Sequence, residues 1–261
     1  MEIVILPDAA DSGHLAGGAV AALLARKPDA VLGLATGSSP LPVYDDLVAR
    51  YTAGEISFAR ATAFTLDEYV GLPADHPERY STVIREAFTS RVDLRPDAVH
   101  GPDGLATDIP AACAAYDAAI AEAGGIDLQI LGIGTDGHIA FNEPGSSLAS
   151  RTRIKTLTHQ TRADNARFFG GDIDAVPTRC LTQGLGTIME AGHIVLTASG
   201  QNKAEAVHQL AEGGVSALWP ATILQHHPHV SVLVDEAAAS RLQLASYYRQ
   251  TWAAKPEWQG L

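Results

Sequence analysis

Six short, β-rich apolar runs recur along the chain, separated by longer stretches with helical periodicity. This alternation limits the fold more than any other feature. The runs are Glu2–Leu6, Ala30–Ala35, Ala61–Leu66, Asp127–Leu131, His193–Ala198 and His229–Val234. The spacing predicts helices over Ser12–Arg26, Leu41–Tyr51, Tyr80–Thr89, Ile109–Ala123, Thr178–Ala191, Lys203–Leu210 and Glu236–Gln250. Strands joined by helices of this length pair in parallel through right-handed crossovers. The expected fold is therefore α/β, with a doubly wound, mostly parallel sheet flanked by helices. With 261 residues and no repeat, linker or low-complexity tract, a single domain over 1–261 is expected. The stretch Asn142–Pro177 is the least regular, and a lid is expected over about 157–180.

Charge and cysteine usage narrow the function classes. Eighteen Lys+Arg against 30 Asp+Glu give a net charge of −12, the wrong sign for a duplex nucleic-acid binder. No apolar stretch approaches the ~18–20 residues that span a bilayer. The opening MEIVILPDAADSG reads as a first strand without a basic leader. Cys113 and Cys180 are too few and too far apart for a disulfide framework or zinc knuckle, which points to a cytoplasmic setting.

Open α/β sheets bind ligands at the carboxyl ends of their strands. Thr36-Gly37-Ser38-Ser39-Pro40 joins a strand to a helix there, and such a turn offers free amides and a helix dipole to an anion. Ser39 as a simple helix cap is the competing reading. Gly132-Ile-Gly-Thr-Asp-Gly-His138 matches G-x-G-x-x-G, but the helix a dinucleotide site requires does not follow. The loop instead gathers Asp136, His138 and Glu143. Asp136 and His138, two apart, project to one side of an extended backbone, and a His between two carboxylates suits general acid/base work. A metal reading of Asp-x-His and an ordinary loop network stay open.

Asp67 and Glu68 follow directly on the third run and point to opposite sides, so one of them faces the crevice; a surface acid pair is the alternative. Arg167 and Lys203 would bring cations to the same end of the sheet. His226-His227-Pro228-His229 lacks the cysteines or acids of a metal site and reads as structural. Tyr247, Tyr248 and Trp252 read as packing residues that could also close a pocket.

Together these motifs resemble the glucosamine-6-phosphate deaminase family. The resemblance runs in order through Leu66-Asp-Glu-Tyr-Val-Gly-Leu-Pro73, Gly134-Thr-Asp-Gly-His-Ile-Ala-Phe-Asn-Glu-Pro144 and Ser146-Ser-Leu-Ala-Ser-Arg-Thr-Arg-Ile-Lys-Thr156. It continues through Asn165-Ala-Arg-Phe-Phe169, Leu181–Thr187 and Gln201-Asn-Lys203. It implies a modified Rossmann-like fold and conversion of glucosamine 6-phosphate and water to fructose 6-phosphate and ammonia, with no metal or organic cofactor. It also implies that Asp67 moves a proton between carbons 2 and 1, and that His138 opens the ring with Asp136 and Glu143 in support. Thr36, Gly37, Ser38, Ser39, Arg167 and Lys203 would hold the phosphate.

The same resemblance implies a homo-oligomer, a hexamer among the options. N-acetylglucosamine 6-phosphate would act as allosteric activator at Ser146, Arg153, Lys155 and Thr156, with Tyr248 the closest match for an activator-site tyrosine. The phosphate loop departs from the Thr-Gly-Gly-Thr-Pro of many relatives, and Ser38 should still offer its amide. Two rivals share the fold: a 6-phosphogluconolactonase-like hydrolase, whose Asp-Gly-His element lacks the Ala-Phe-Asn-Glu-Pro continuation, and a non-catalytic sugar-phosphate sensor.

Overall fold

The computed structural model describes the backbone of residues 1–261 and every side chain except that of Glu257. Ten strands and eight α-helices follow in chain order: β1 (Glu2–Leu6), α1 (Ala9–Arg26), β2 (Val31–Leu34), α2 (Leu41–Thr52), β3 (Thr62–Thr65), β4 (Asp67–Tyr69) and α3 (Tyr80–Ala87) come first. Then come β5 (Val99–His100), α4 (Ile109–Glu122), β6 (Leu128–Leu131), β7 (Arg153–Thr156), α5 (His159–Asn165), β8 (Arg179–Thr182) and α6 (Leu185–Ile188). The last are β9 (His193–Ala198), α7 (Ala204–Glu212), β10 (Val230–Asp235) and α8 (Ala245–Ala253). Seven strands form one parallel sheet in the order β1-β10-β9-β6-β2-β3-β5. From the β2–β6 pair the winding runs outward through β3 and β5 on one side and β9 and β10 on the other, with β1 added beyond β10. That is the doubly wound arrangement expected.

Each face of this sheet has its own core, as parallel strands covered by helices require. Leu131, Ile194, Leu196, Val232 and Val234 lie in one cluster, and Leu32, Ile130, Val195 and Leu233 in the other. Alternate residues of β6, β9 and β10 thus bury on opposite sides, and at roughly 25 cal/mol per Å² such burial is the main favourable contribution to folding.

Four strands lie outside the runs read from the sequence. At Leu66 the chain leaves the main sheet and enters a three-stranded antiparallel sheet ordered β4-β8-β7. The helix expected over Thr178–Ala191 is therefore a strand, β8, followed by the single turn of α6. Cross-strand pairing on both edges overrides the local helical pattern. The helix expected over Glu236–Gln250 is likewise confined to α8. Before it, the Asp235 carboxylate accepts the amides of Gly200 and Ala238 and turns the chain. Helix α1 starts at Ala9, three residues early, because Asp8 caps it by accepting the Asp11 amide at 2.9 Å.

The irregular stretch carries more structure than its sequence suggested. It holds β7, α5 and a 3₁₀ turn over Ala166–Phe168. Leu157, Ala166, Val176 and Cys180 bury with Tyr69, Leu72 and Phe141 in a third, smaller cluster. The far boundary of the expected 157–180 lid overlaps β8, so its last two residues belong to a paired strand. No helix among the described residues is long and apolar enough to cross a membrane.

Candidate active site

The loops after β2 and β6 leave the sheet side by side, where the winding direction reverses and α/β folds place ligands. The first, Thr36–Ser39, leads into α2 with Pro40 at its start. The amides of Gly37, Ser38 and Ser39 donate to nothing among the described residues, while Thr197 of β9 donates to the Ser39 carbonyl at 3.1 Å. An anchored loop with free donors at a helix start has the geometry an anion requires. Ser39 does not cap the helix through its side chain, so that competing reading fails.

Lys203 closes a 3₁₀ turn after β9, directly before α7. Burial holds its ammonium below the usual lysine range, and the charge of Arg167 pushes the same way against Asp164 and Asp136. Lys203 thus senses groups from two other segments, and an anion between the two cations would relieve their repulsion.

Asp67 opens β4. It is 5% exposed and makes no side-chain hydrogen bond among the described residues. Burial, then the neighbouring Glu68, push its carboxyl well above the usual range. Glu68 points away and is consumed structurally. Its carboxylate accepts the amides of Tyr69, Tyr80 and Ser81 and lies 3.6 Å from Arg79, so it caps the start of α3. Of the two adjacent acids, only Asp67 is unpaired.

The His138 loop is a tight turn, not the extended segment expected. The Gly134 amide donates to the His138 carbonyl at 2.9 Å, and the His138 amide donates to Asp136 at 3.2 Å. The imidazole folds back over Gly134, where any Cβ would fall 2.2 Å from Cε1, so only glycine fits. His138 Nδ1 lies 2.6 Å from Asp136 Oδ1, although the ring N–H points off the line to that oxygen. Burial raises the Asp136 carboxyl, but the ring and amide of His138 outweigh it and hold Asp136 below the usual range. The loop is stapled to the small sheet. Asn142 donates to the Gln183 carbonyl at 2.8 Å, and the Phe141 amide donates to Thr182, the residue paired with Asp67 across β4 and β8.

Glu143 makes no hydrogen bond or ion pair with His138 among the described residues. Its Oε1 accepts from the Thr158 amide and hydroxyl and from the Thr161 hydroxyl, which ties the loop to the first turn of α5. Thr158 also caps that helix by accepting the Thr161 amide. Sequence reasoning missed both threonines. The T-x-x-T spacing at a helix start was the available signal.

The five residues expected to hold an activator do not all meet in this chain. Arg153 and Lys155 project to one side of β7, and burial lowers the Arg153 guanidinium below its usual value. Arg153 pairs with Thr182 and Lys155 with Cys180, so Arg153, Thr182 and Asp67 form one row across the small sheet. Ser146 is buried with its hydroxyl unpartnered, and Thr156 is exposed. Tyr248 sits apart on α8, where burial and then Glu212 push its hydroxyl up to about 12. The histidine run is structural, as read: His227 bonds the Ala191 carbonyl, and His229 stacks on His193 at 3.6 Å. No group of three potential metal ligands occurs among the described residues.

A family model for glucosamine-6-phosphate isomerases/6-phosphogluconolactonase matches residues 10–233. The glucosamine-6-phosphate deaminases of Beutenbergia cavernae and Mycolicibacterium smegmatis are 76% and 75% identical over 261 residues, covering 100% of both chains in each case. A solved structure of a monomeric glucosamine-6-phosphate deaminase is 42% identical with a TM-score of 0.89, over 92% of this chain and 99% of that one. The 6-phosphogluconolactonase of Trypanosoma brucei is 19% identical with a TM-score of 0.75, over 92% and 98%, a likeness of fold alone.

Proposed function

The chain belongs to the glucosamine-6-phosphate isomerase/6-phosphogluconolactonase family and converts glucosamine 6-phosphate and water to fructose 6-phosphate and ammonia; we propose that Asp67, Asp136, His138 and Glu143 carry that reaction. The observation that supports this assignment best is Asp67, a buried carboxyl group without a hydrogen-bond partner among the described residues, opening the strand beside the His138 loop.

In this reading the phosphate sits on the free amides of Gly37–Ser39, with Thr36, Arg167 and Lys203 around it. That remote grip orients the sugar for the chemical steps. His138, held by Asp136, moves a proton from the C1 hydroxyl to the ring oxygen, which leaves an open-chain aldehyde. Asp67 then takes the C2 proton and returns it to C1, converting the enol-amine to a C2 iminium. Water adds at C2, ammonia leaves, and the ketone remains. A carboxylate with raised basicity suits proton abstraction from carbon. Lactone hydrolysis has no such step, and a sensor needs neither group.

Residues 157–180 act as a lid, with the moving part ending before β8. The anchoring of α5 to Glu143 supports a lid whose position reports on the catalytic loop. Arg153 and Lys155 accept the phosphate of N-acetylglucosamine 6-phosphate as activator, in a cytoplasmic homo-oligomer. The buried free thiols of Cys113 and Cys180 suit that reducing compartment. Ammonia release from glucosamine 6-phosphate by the purified protein, with 6-phosphogluconolactone as the control substrate, tests the whole reading. Turnover of the lactone alone would overturn it.

A further inference from the structure

The loop that carries His138 and Glu143 has almost no regular structure, so something outside it must fix its position. The segment 213–222, which follows α7 and runs into a 3₁₀ helix over Pro220–His226, does this from both ends. The Ala221 amide donates to the Gly137 carbonyl at 2.8 Å, and the Gly145 amide donates to the Ala217 carbonyl at 2.8 Å. Between these two bonds the Trp219 indole lies on Gly137. A Cβ there would fall 2.6 Å from Trp219 Cε3, at a backbone φ of +80° that already favours glycine. The turn is closed by the buried Thr222 hydroxyl, which accepts the Ser216 amide at 2.8 Å and donates to the Trp219 carbonyl at 2.7 Å.

We propose that Trp219 is a positioning residue for ring opening: its indole seats Gly137 and thereby sets the place of His138 one residue later. The proposal rests on the reading of His138 as the ring-opening group. The phosphate loop and Asp67 stand on other elements, so the indole acts on one step of the reaction and not on substrate affinity. A displacement of about 1 Å in a positioned group can cost on the order of 100-fold in rate.

The test uses Trp219→Leu in the full-length protein. We expect turnover of glucosamine 6-phosphate to fall about 10- to 100-fold. KM and the inhibition constants of inorganic phosphate and of an acyclic amino-sugar alcohol phosphate should stay within about 2-fold, since a misplaced loop removes a transition-state interaction without touching ground-state binding. Gly137→Ala should cost much more beside the indole than in the Trp219→Leu background, because the leucine vacates the space that the new methyl needs. Equal cost in both backgrounds, or parental turnover in Trp219→Leu, overturns the proposal. Thr222→Val, which opens the turn without removing the indole, should show the same loss in turnover alone if Trp219→Leu folds poorly; parental turnover there also counts against it. Failure of the His138 reading would show separately, as turnover retained in His138→Gln.

Discussion

His138 Nδ1 stands 2.6 Å from Asp136 Oδ1, at the end of the tight turn Gly134–His138 that holds both. The pair leaves Nε2 as the ring atom available to a substrate. Asp136→Asn keeps the turn and removes the charge. We expect turnover to fall on the order of 100-fold with KM changed less than about 3-fold, because orientation and charge at an acid/base group act on the transition state. Steady-state ammonia release measures both. A KM effect without a turnover effect would place Asp136 in binding.

Asp67 should trade stability against activity. Its folded pKa is raised by burial, so the parent binds an extra proton when folded, and that stabilisation is present at low pH and lost as pH rises through the folded value. Asp67→Asn should lose about 100- to 10,000-fold in turnover. It should also unfold at a higher temperature than the parent at pH 8, with the gap closing toward pH 4. A lower melting temperature at every pH would mean that the carboxylate has a stabilising partner.

The stacked pair His193 and His229 gives an opposite pH signature. Burial first, and then His229, hold His193 down at about 3. A depressed histidine contributes stability that is present above the unfolded value near 6.5 and is lost as pH falls toward 3. His193→Phe retains a ring for stacking but does not titrate. Chemical denaturation between pH 7 and pH 4 should show the parent losing about 1–3 kcal/mol more than the variant.

These groups differ in how far they could be read in advance. The Thr36–Pro40 turn and the parallel sheet were legible because each rests on local chemistry, a proline at a helix start and apolar runs of strand length. The His138 loop was marked by its ionisable residues, and its tight turn was not foreseen. Strand β8 was not legible, since Arg179-Cys-Leu-Thr lies in a stretch that reads as helix and only its pairing makes it a strand; the extended alternation of Arg153 and Lys155 was legible, but not the sheet that β7 joins. Glu143 was read by proximity in sequence as a partner of His138. The hydrogen bonds to its Oε1 come from 15 and 18 residues away. Trp219 gave no local signal at all, because its use depends on which glycine it covers.

Thr161 offers a test of the lid. Thr161→Val should cost about 1–3 kcal/mol, since it removes a buried hydrogen bond to a carboxylate. Hydrogen exchange over residues 158–165 should quicken while exchange in β9 stays slow. Uniform quickening would mean that α5 opens only with the whole domain.

Activation predicts that N-acetylglucosamine 6-phosphate steepens or shifts the substrate-saturation curve of the parent and does nothing to Lys155→Ala. The ligand must favour one arrangement over another, because equal affinity moves nothing. A hyperbolic parental curve, indifferent to the ligand, would leave Arg153 and Lys155 as surface charge.

The row Arg153–Thr182–Asp67 gives the small sheet a further meaning. Its outer strand stands about 10 Å from the base, two interstrand spacings, through backbone that is hydrogen-bonded on both sides of β8. Burial first, and then the neighbouring Glu68, raise the proton affinity of Asp67, so drawing β4 toward water would lower it. A ligand that pulled on β7 could then retune the base without approaching it. Such retuning would be read as a shift in the acid limb of the pH–rate profile when the outer strand is loaded, and a limb that stays still would rule it out.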